Sequence, residues 1–463
     1  MAKYGISFSY DQFKGVVDNS DFRRLGIRLV GNINILPRLK LYMNTYLNTA
    51  TENQVESMLN QQVSPQYVSM AKSPVLGPYV YDKSGNPTNQ LMDPLEFNIS
   101  NPFAVQQGYI GEAYNTRILG TFRFEGEITD QLHLKSLFSF NRSNLTEKVY
   151  FPNIGISPYE NGEINNISKR SHNRLNALFN NTYLEYSNNK SGAHDIYLTS
   201  GFRINYTELQ TDLRIAKNLP ENDAVSDLSE GEDSRRELDG DSPIWTWVSY
   251  YASGRYGYKD RYFVDGVISL DGSSTIGKEA TDMLSMGNQP FGLFYSIGGA
   301  WRLSNEAFLS SLSRLEELKI RASYAVSGND DIGPYSALDY YEQVLFRGVT
   351  GIVPGRTVNL GLKHETMQML NLGMDLSLFG EKIGLTFNAF ENQTEDLFLQ
   401  TRAEGWIWDE LLARNAGSSK TRGFEIEART YLKAGRNISF KSDFNVTKLS
   451  TEIKEIYKDM VVI

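Results

Sequence analysis

Residues 366–398 (TMQMLNLGMDLSLFGEKIGLTFNAFENQTEDLF) constrain the fold more than any other stretch of the chain. Leu370, Leu372, Met374, Leu376 and Leu378 alternate with Asn371, Gly373, Asp375 and Ser377. Beyond the turn Phe379-Gly380-Glu381-Lys382, Ile383, Leu385, Phe387 and Ala389 alternate with Gly384, Thr386 and Asn388. A period of two gives each strand one apolar face and one small or polar face. Both runs exceed the usual strand of about five or six residues, whereas a tilted strand crossing a bilayer needs about nine to eleven. The hairpin is therefore predicted to be part of a transmembrane β-barrel.

The same pattern recurs in about fifteen strand candidates along the chain. The first is short, Tyr4 to Tyr10. The second sets Leu25, Ile27, Leu29 and Ile33 against Arg24, Arg28, Asn32 and Asn34. The fourth sets Ile118, Phe122, Phe124 and Ile128 against Arg117, Arg123, Glu125 and Glu127, which are expected to line a polar lumen. The eleventh runs from Leu318 to Val326, and the last two flank Ala434-Gly435-Arg436. Tight turns near 36, 129, 190, 260, 380 and 435 alternate with long, Pro-, Gly- and Asn-rich connections, the longest from about Ala50 to Tyr114. Leu303 to Glu316 reads as an intermediate connection holding a helical turn. Short turns at one end and long loops at the other belong to outer-membrane barrels. A solenoid would show a fixed repeat of roughly 20 to 50 residues, and none is visible.

Composition agrees. No run of about eighteen apolar residues offers a transmembrane helix, and half the residues of a barrel strand face a polar lumen, which lowers the mean hydropathy. The 27 Tyr, 24 Phe and 5 Trp suit aromatic girdles. A net charge of -9 without a basic stripe argues against nucleic acid as a partner. The start, Met1-Ala2-Lys3-Tyr4, has no apolar h-region and is not expected to be a signal peptide.

Several stretches carry a family resemblance. They are residues 261–274 (RYFVDGVISLDGSS), 299–308 (GAWRLSNEAF), 318–329 (LKIRASYAVSGN) with Ile332-Gly-Pro-Tyr335, the lead-in Leu362-Lys-His-Glu-Thr366, and 415–424 (NAGSSKTRGF). In this order they resemble the SusC/RagA-type TonB-linked outer-membrane transporters of Bacteroidota, densely from about 244 to 450 and by strand pattern before that. The resemblance implies a 22-stranded plugged barrel, of which residues 1–463 would be a part of about fifteen strands. It implies a multi-pass protein of a Gram-negative outer membrane that imports oligosaccharides or peptides. It also implies a SusD-like surface lipoprotein lid and the TonB–ExbB–ExbD system acting through a plug. The signal peptide, TonB box and plug domain of the family find no counterpart here. The alternative is therefore a plug-less or split SusC-like barrel, a structural subunit of an outer-membrane complex.

Candidate ligand contacts are loop aromatics: Trp406 and Trp408 before the fourteenth strand, Tyr335, Tyr340 and Tyr341 after the eleventh, and Tyr150 and Tyr159 after the fifth. Flat rings beside polar groups can stack on sugars or on apolar parts of peptides; the competing reading is packing between loops. Trp245 and Trp247, at the outer end of the eighth strand, read as a lipid-interface girdle. Residues 221–242 (ENDAVSDLSEGEDSRRELDGDS) could offer oxygens to Ca²⁺, but without EF-hand spacing they read as a solvated loop. The four histidines are scattered, and no metal site, catalytic motif or phosphate loop is evident, so an enzyme is not expected. Gly272 in Asp271-Gly-Ser-Ser274 reads as a turn residue at a strand end.

Overall fold

The computed structural model describes residues 2–55, 64–92, 99–152, 166–188, 192–219, 228, 231–287, 289–337, 341–346, 349–354, 358–402, 411–434 and 438–456. Its frame is one antiparallel meander in which every long strand pairs with its neighbours in sequence. The strands are β1 (Ala2–Lys14), β2 (Asp21–Leu36), β3 (Leu39–Asn53), β4 (Ile110–Glu127) and β5 (Leu132–Phe151). Next come β6 (Ile167–Ser187), β7 (His194–Ala216), β8 (Ile244–Tyr258), β9 (Tyr262–Ser273) and β10 (Gln289–Arg302). The series ends with β11 (Leu315–Asn329), β12 (Glu365–Leu378), β13 (Ile383–Glu395), β14 (Gly417–Ala434) and β15 (Ile438–Ile456). All fifteen expected strands are present. β1 is longer than its apolar stretch, because Asp11 to Lys14 stay paired with β2 above it.

The register shows why the pattern dictates the wall. Tyr262, Val264, Ile268 and Leu270 of β9 stand beside Trp301, Gly299, Tyr295 and Leu293 of β10. Leu370, Leu372, Met374 and Leu376 of β12 stand beside Tyr324, Ala322, Ile320 and Leu318 of β11. Exposed large apolar side chains gather on this face, and the opposite face carries Asp265, Ser296, Arg321, Asn371 and Asp375. The first face is the lipid face and the second the lumen face. Small residues let rings lie flat against the wall: a Cβ on Gly120 would meet the Phe140 ring at 2.3 Å. Gly272 acts likewise. It pairs with Val248 inside the ladder and lies under Phe291, so close ring packing, not a strained turn, requires glycine there.

Turn chemistry joins the strands. Lys259 and Asp260 both have positive φ (52° and 54°), matching the right-handed twist of the strands they connect. Two 3₁₀ turns, Leu303–Asn305 and Ala307–Leu309, occupy the connection between β10 and β11. At this end Tyr258, Tyr262 and Trp301 stack side by side on the lipid face, 6.5 and 6.2 Å between centroids, as in an interfacial girdle. Glu306 fixes it by accepting from Tyr262 Oη (2.6 Å), Trp301 Nε1 (3.1 Å) and Arg261 Nη1 (3.2 Å). These bonds hold the Glu306 carboxyl below its ordinary range.

Two short helices that no side-chain periodicity announces stand in the β3–β4 excursion, α1 (Pro65–Ala71) and α2 (Pro102–Gly108). Ser64 and Asn101 cap them, each followed by proline at the first helical position. Their Val68, Ala104 and Val105 pack with Tyr109, Phe151 and Ile167, and against Val149 and Ile215, on the lumen side of the β5–β7 tops. The excursion therefore folds inward over the mouth.

Candidate substrate path along the lumen wall

The lumen face carries guanidinium groups laid against rings, carboxylates and amides of the neighbouring strands. On β7, Arg203 lies 5.5 Å from the Trp247 ring and 4.5 Å from the Tyr251 ring, both on β8. Tyr251 Oη donates to Asn181 Oδ1 of β6 at 2.9 Å. Trp245 and Trp247 share the parity of Ser249, Tyr251 and Arg255. They face the lumen, correcting the expectation of a girdle: their mixed neighbourhood hid the phase of the strand until pairing with Arg203's strand fixed it.

Nearer the short turns, Arg255 lies 5.4 Å from the Tyr197 ring, whose hydroxyl donates to Glu185 at 2.8 Å. Glu185 also accepts from Lys135 at 2.6 Å. Arg321 Nε donates to Asp375 at 3.1 Å and its Nη2 to Asn388, and it reaches them by crossing Gly373, where a Cβ would sit 2.5 Å from the guanidinium carbon. A groove of about 430 Å³ runs past Arg255, Asp265, Arg321 and Asn371. Arg117, Arg123, Glu125 and Glu127, expected in the lumen, are there: Arg117 donates to Asn141, Arg123 covers Tyr42, and Glu127 accepts from Lys40. Such a surface offers donors, acceptors and flat apolar faces together, suiting ligands with mixed polar and apolar surface.

At the outer rim the connections are stitched together. Tyr335 Oη accepts from Ile244 N and donates to the Ser242 carbonyl, both at 3.0 Å, with Tyr335 itself at φ +62°. Gly277 N and Glu279 N donate to the carbonyls of Leu362 and Leu360. Beside them His364, 5% exposed, stands edge-on to Phe294. Neither of its ring nitrogens has a hydrogen-bond partner among the described residues, and burial pushes its pKa down.

The three described members of the expected ligand aromatics stand in different settings. Tyr150 is 7% exposed and packed into the wall top; Tyr335 ties two connections together; Tyr341 is 74% exposed on the hairpin 341–346/349–354. Trp406, Trp408, Tyr340 and Tyr159 lie outside the described residues, as does much of the acidic loop. Among the described residues no three His, Asp or Glu side chains converge as metal ligands would. The Arg203–Trp247–Tyr251 group was missed because alternation identifies faces but not cross-strand partners.

The family description "TonB dependent receptor-like, beta-barrel" matches residues 62–456. The chain belongs to that family. It is thus a β-barrel protein of the outer membrane, and its long connections lie on the extracellular side. TonB-dependent receptor P3 of Formosa agariphila is 26% identical over 96% of this chain and 44% of its own length. TonB-dependent receptor SusC of Bacteroides thetaiotaomicron is 24% identical over 46% of this chain and 21% of its own. The chain spans less than half the length of these curated relatives. These relatives are receptors, not enzymes. In fold, the RagAB peptide transporter structure matches 99% of this chain and 50% of its own, with a TM-score of 0.78 at 18% identity. The siderophore receptor PiuA of Acinetobacter baumannii matches 99% and 61%, with a TM-score of 0.54 at 13% identity.

Proposed function

We propose that this chain supplies the wall of a TonB-dependent importer for peptides or oligosaccharides, working beneath a SusD-like surface lipoprotein and driven through TonB–ExbB–ExbD. The observation that carries the reading is the lumen ladder. Arg203 stacked between Trp247 and Tyr251, with Arg255 and Arg321 below, lines one face of a family barrel with groups that bind polar polymers weakly and repeatedly. Family membership supports the energy source, and the fold shared with the RagAB peptide transporter supports a bulky cargo. Exposed Tyr341 is the described loop aromatic best placed for first contact at the mouth.

The test is nutrient-dependent growth and uptake of labelled peptide and glycan pools in a strain deleted for the gene, with and without TonB. Import predicts that one pool is lost in both backgrounds. Unchanged uptake of every pool would overturn import and leave the structural-subunit role.

A further inference from the structure

At one level of the lumen the wall changes character. Arg28 of β2, Arg117 of β4 and Arg203 of β7 stand eight, ten and nine residues from the short-turn ends of their strands, Leu36, Glu127 and His194. On tilted strands this places the three arginines within about 5 Å of one height. Elsewhere on this face arginines meet carboxylates: Arg24 with Asp11, Arg123 with Glu125, Arg321 with Asp375. At this level no carboxylate stands opposite any of the three, diagonal to it, or two residues along its own strand. Along the register row of Arg203 the first carboxylate is Asp271, two strands away.

Neutral groups hold these arginines in place. Arg28 Nε donates to Asn44 Oδ1 at 2.8 Å and Arg117 Nε to Asn141 Oδ1 at 2.9 Å. Arg203 Nε is buried without an acceptor among the described residues, and the Trp247 and Tyr251 rings flank its guanidinium. An amide oxygen or a ring face orients a guanidinium without cancelling its charge. In all three the Nε edge is turned to the wall. The two terminal nitrogens remain, the end of the fork that grips a carboxylate by two parallel bonds.

Flat rings and small polar groups share the level. Tyr46 pairs with Arg28 and lies across Gly26, where a Cβ would meet its Oη at 2.8 Å. Asn48 and Ser143 flank Arg117, and Asn181 and Ser249 flank Arg203. Amides and hydroxyls both donate and accept, as sugar hydroxyls do, and a ring face receives the C–H face of a sugar.

We propose that this band binds the carboxylates of an acidic oligosaccharide, a short chain of uronic acids. The inference rests on the import reading and selects between its two cargo classes. Two strands lead from Arg28 to Arg117 and three from Arg117 to Arg203, about 10 and 15 Å along the wall. A short oligosaccharide spans such gaps, so one chain reaches two arginines. An acidic peptide would meet the same charges, but the amides and hydroxyls around them match a ring of hydroxyls better than an apolar side chain.

The test is isothermal titration of the purified full-length protein in detergent with tetragalacturonate, with the neutral tetrasaccharide made by reducing its carboxyl groups, and with tetraglutamate. The proposal expects tetragalacturonate to bind about tenfold more tightly than either of the others, since paired charge-assisted bonds to arginine and stacking on the rings act together only there. Arg28→Gln with Arg117→Gln, and separately Arg117→Gln with Arg203→Gln, should each weaken it about tenfold and leave the neutral tetrasaccharide unaffected. The proposal is overturned if the parent protein does not bind tetragalacturonate, or binds the neutral tetrasaccharide or tetraglutamate equally well. Unchanged binding by both variant pairs would overturn it too. Heat-modifiable gel mobility selects folded variants, and the comparison of ligands on the parent protein stands without them. Binding to purified protein needs neither TonB nor a lid, so a failed titration strikes this inference and a failed uptake test strikes the import reading.

Discussion

Leu372 and Asn371 are adjacent in the chain and stand on opposite faces of β12. Leu372 is 51% exposed on the lipid face, between Ala322 of β11 and Ala389 of β13. Asn371 faces the lumen, between Ser323 and Phe390. An arginine on the lipid face costs about 2–4 kcal/mol at the midplane and less toward the interfaces. Leu372 lies one residue pair outward from the centre of the belt, so about 2–3 kcal/mol is expected for Leu372→Arg, roughly 30- to 150-fold in the folding equilibrium. Asn371 is half-buried in the groove beside Arg321, and Asn371→Arg extends into that polar space and not into lipid, so it should cost less, about 1 kcal/mol. The two variants carry the same added charge, so their difference reports facing alone. The assay is urea titration in lipid vesicles, with heat-modifiable mobility in native outer membranes as the cellular counterpart. Equal losses, or a greater loss at Asn371, would refute the assignment of the two faces.

Gly373→Val should push the Arg321 guanidinium off Asp375 and Asn388 into the lumen and slow uptake, with folded yield within about twofold of the parent; an unchanged uptake rate would count against Arg321 lining the path. His364 has a folded pKa below its unfolded value near 6.5, so its contribution is full above that value and declines as pH falls below it. The hydrogen-exchange protection factor of the segment around Leu362, with the intrinsic pH dependence of exchange divided out, should therefore fall from about pH 6.5 downward, while His364→Phe should show no such onset. Glu306 is depressed instead in a carboxylate, so its contribution is present above the ordinary 4.5 and lost as pH falls through the lower folded value. Glu306→Gln should lower thermal stability at neutral pH and flatten the acid limb of the stability curve; equal acid limbs in the two proteins would exclude that role.

The wall was legible because burial in lipid is a strict demand on every second residue. Leu370 to Leu378 and Ile383 to Ala389 could satisfy it in one register only, and the structure adopts that register. The ends of elements were less legible. Asp11 to Lys14 extend β1 by backbone pairing with β2, which no side-chain periodicity signals. α1 and α2 are too short for a helical period and are stabilised by Ser64, Asn101 and packing on Phe151 and Ile167. Ser64-Pro65 and Asn101-Pro102 were the available local cues. The lumen site was half legible. Arg117, Arg123, Glu125 and Glu127 stand on a cleanly alternating strand, whereas Trp245 and Trp247 sit where residues on both faces are aromatic or small. Arg203, Tyr251 and Arg321 acquire meaning only through partners on other strands.

The chain contains no cysteine, so single cysteines placed from Gln368 to Ser377 report the central claim directly. Each would be labelled in intact outer membranes with a water-soluble thiol reagent and with a bilayer-confined one. The account predicts a strict alternation: Leu370, Leu372, Met374 and Leu376 react with the confined reagent, and Met369, Asn371, Gly373 and Asp375 with the soluble one. Labelling without a period of two, or with the phase reversed, would contradict a barrel wall with these residues facing lipid and lumen.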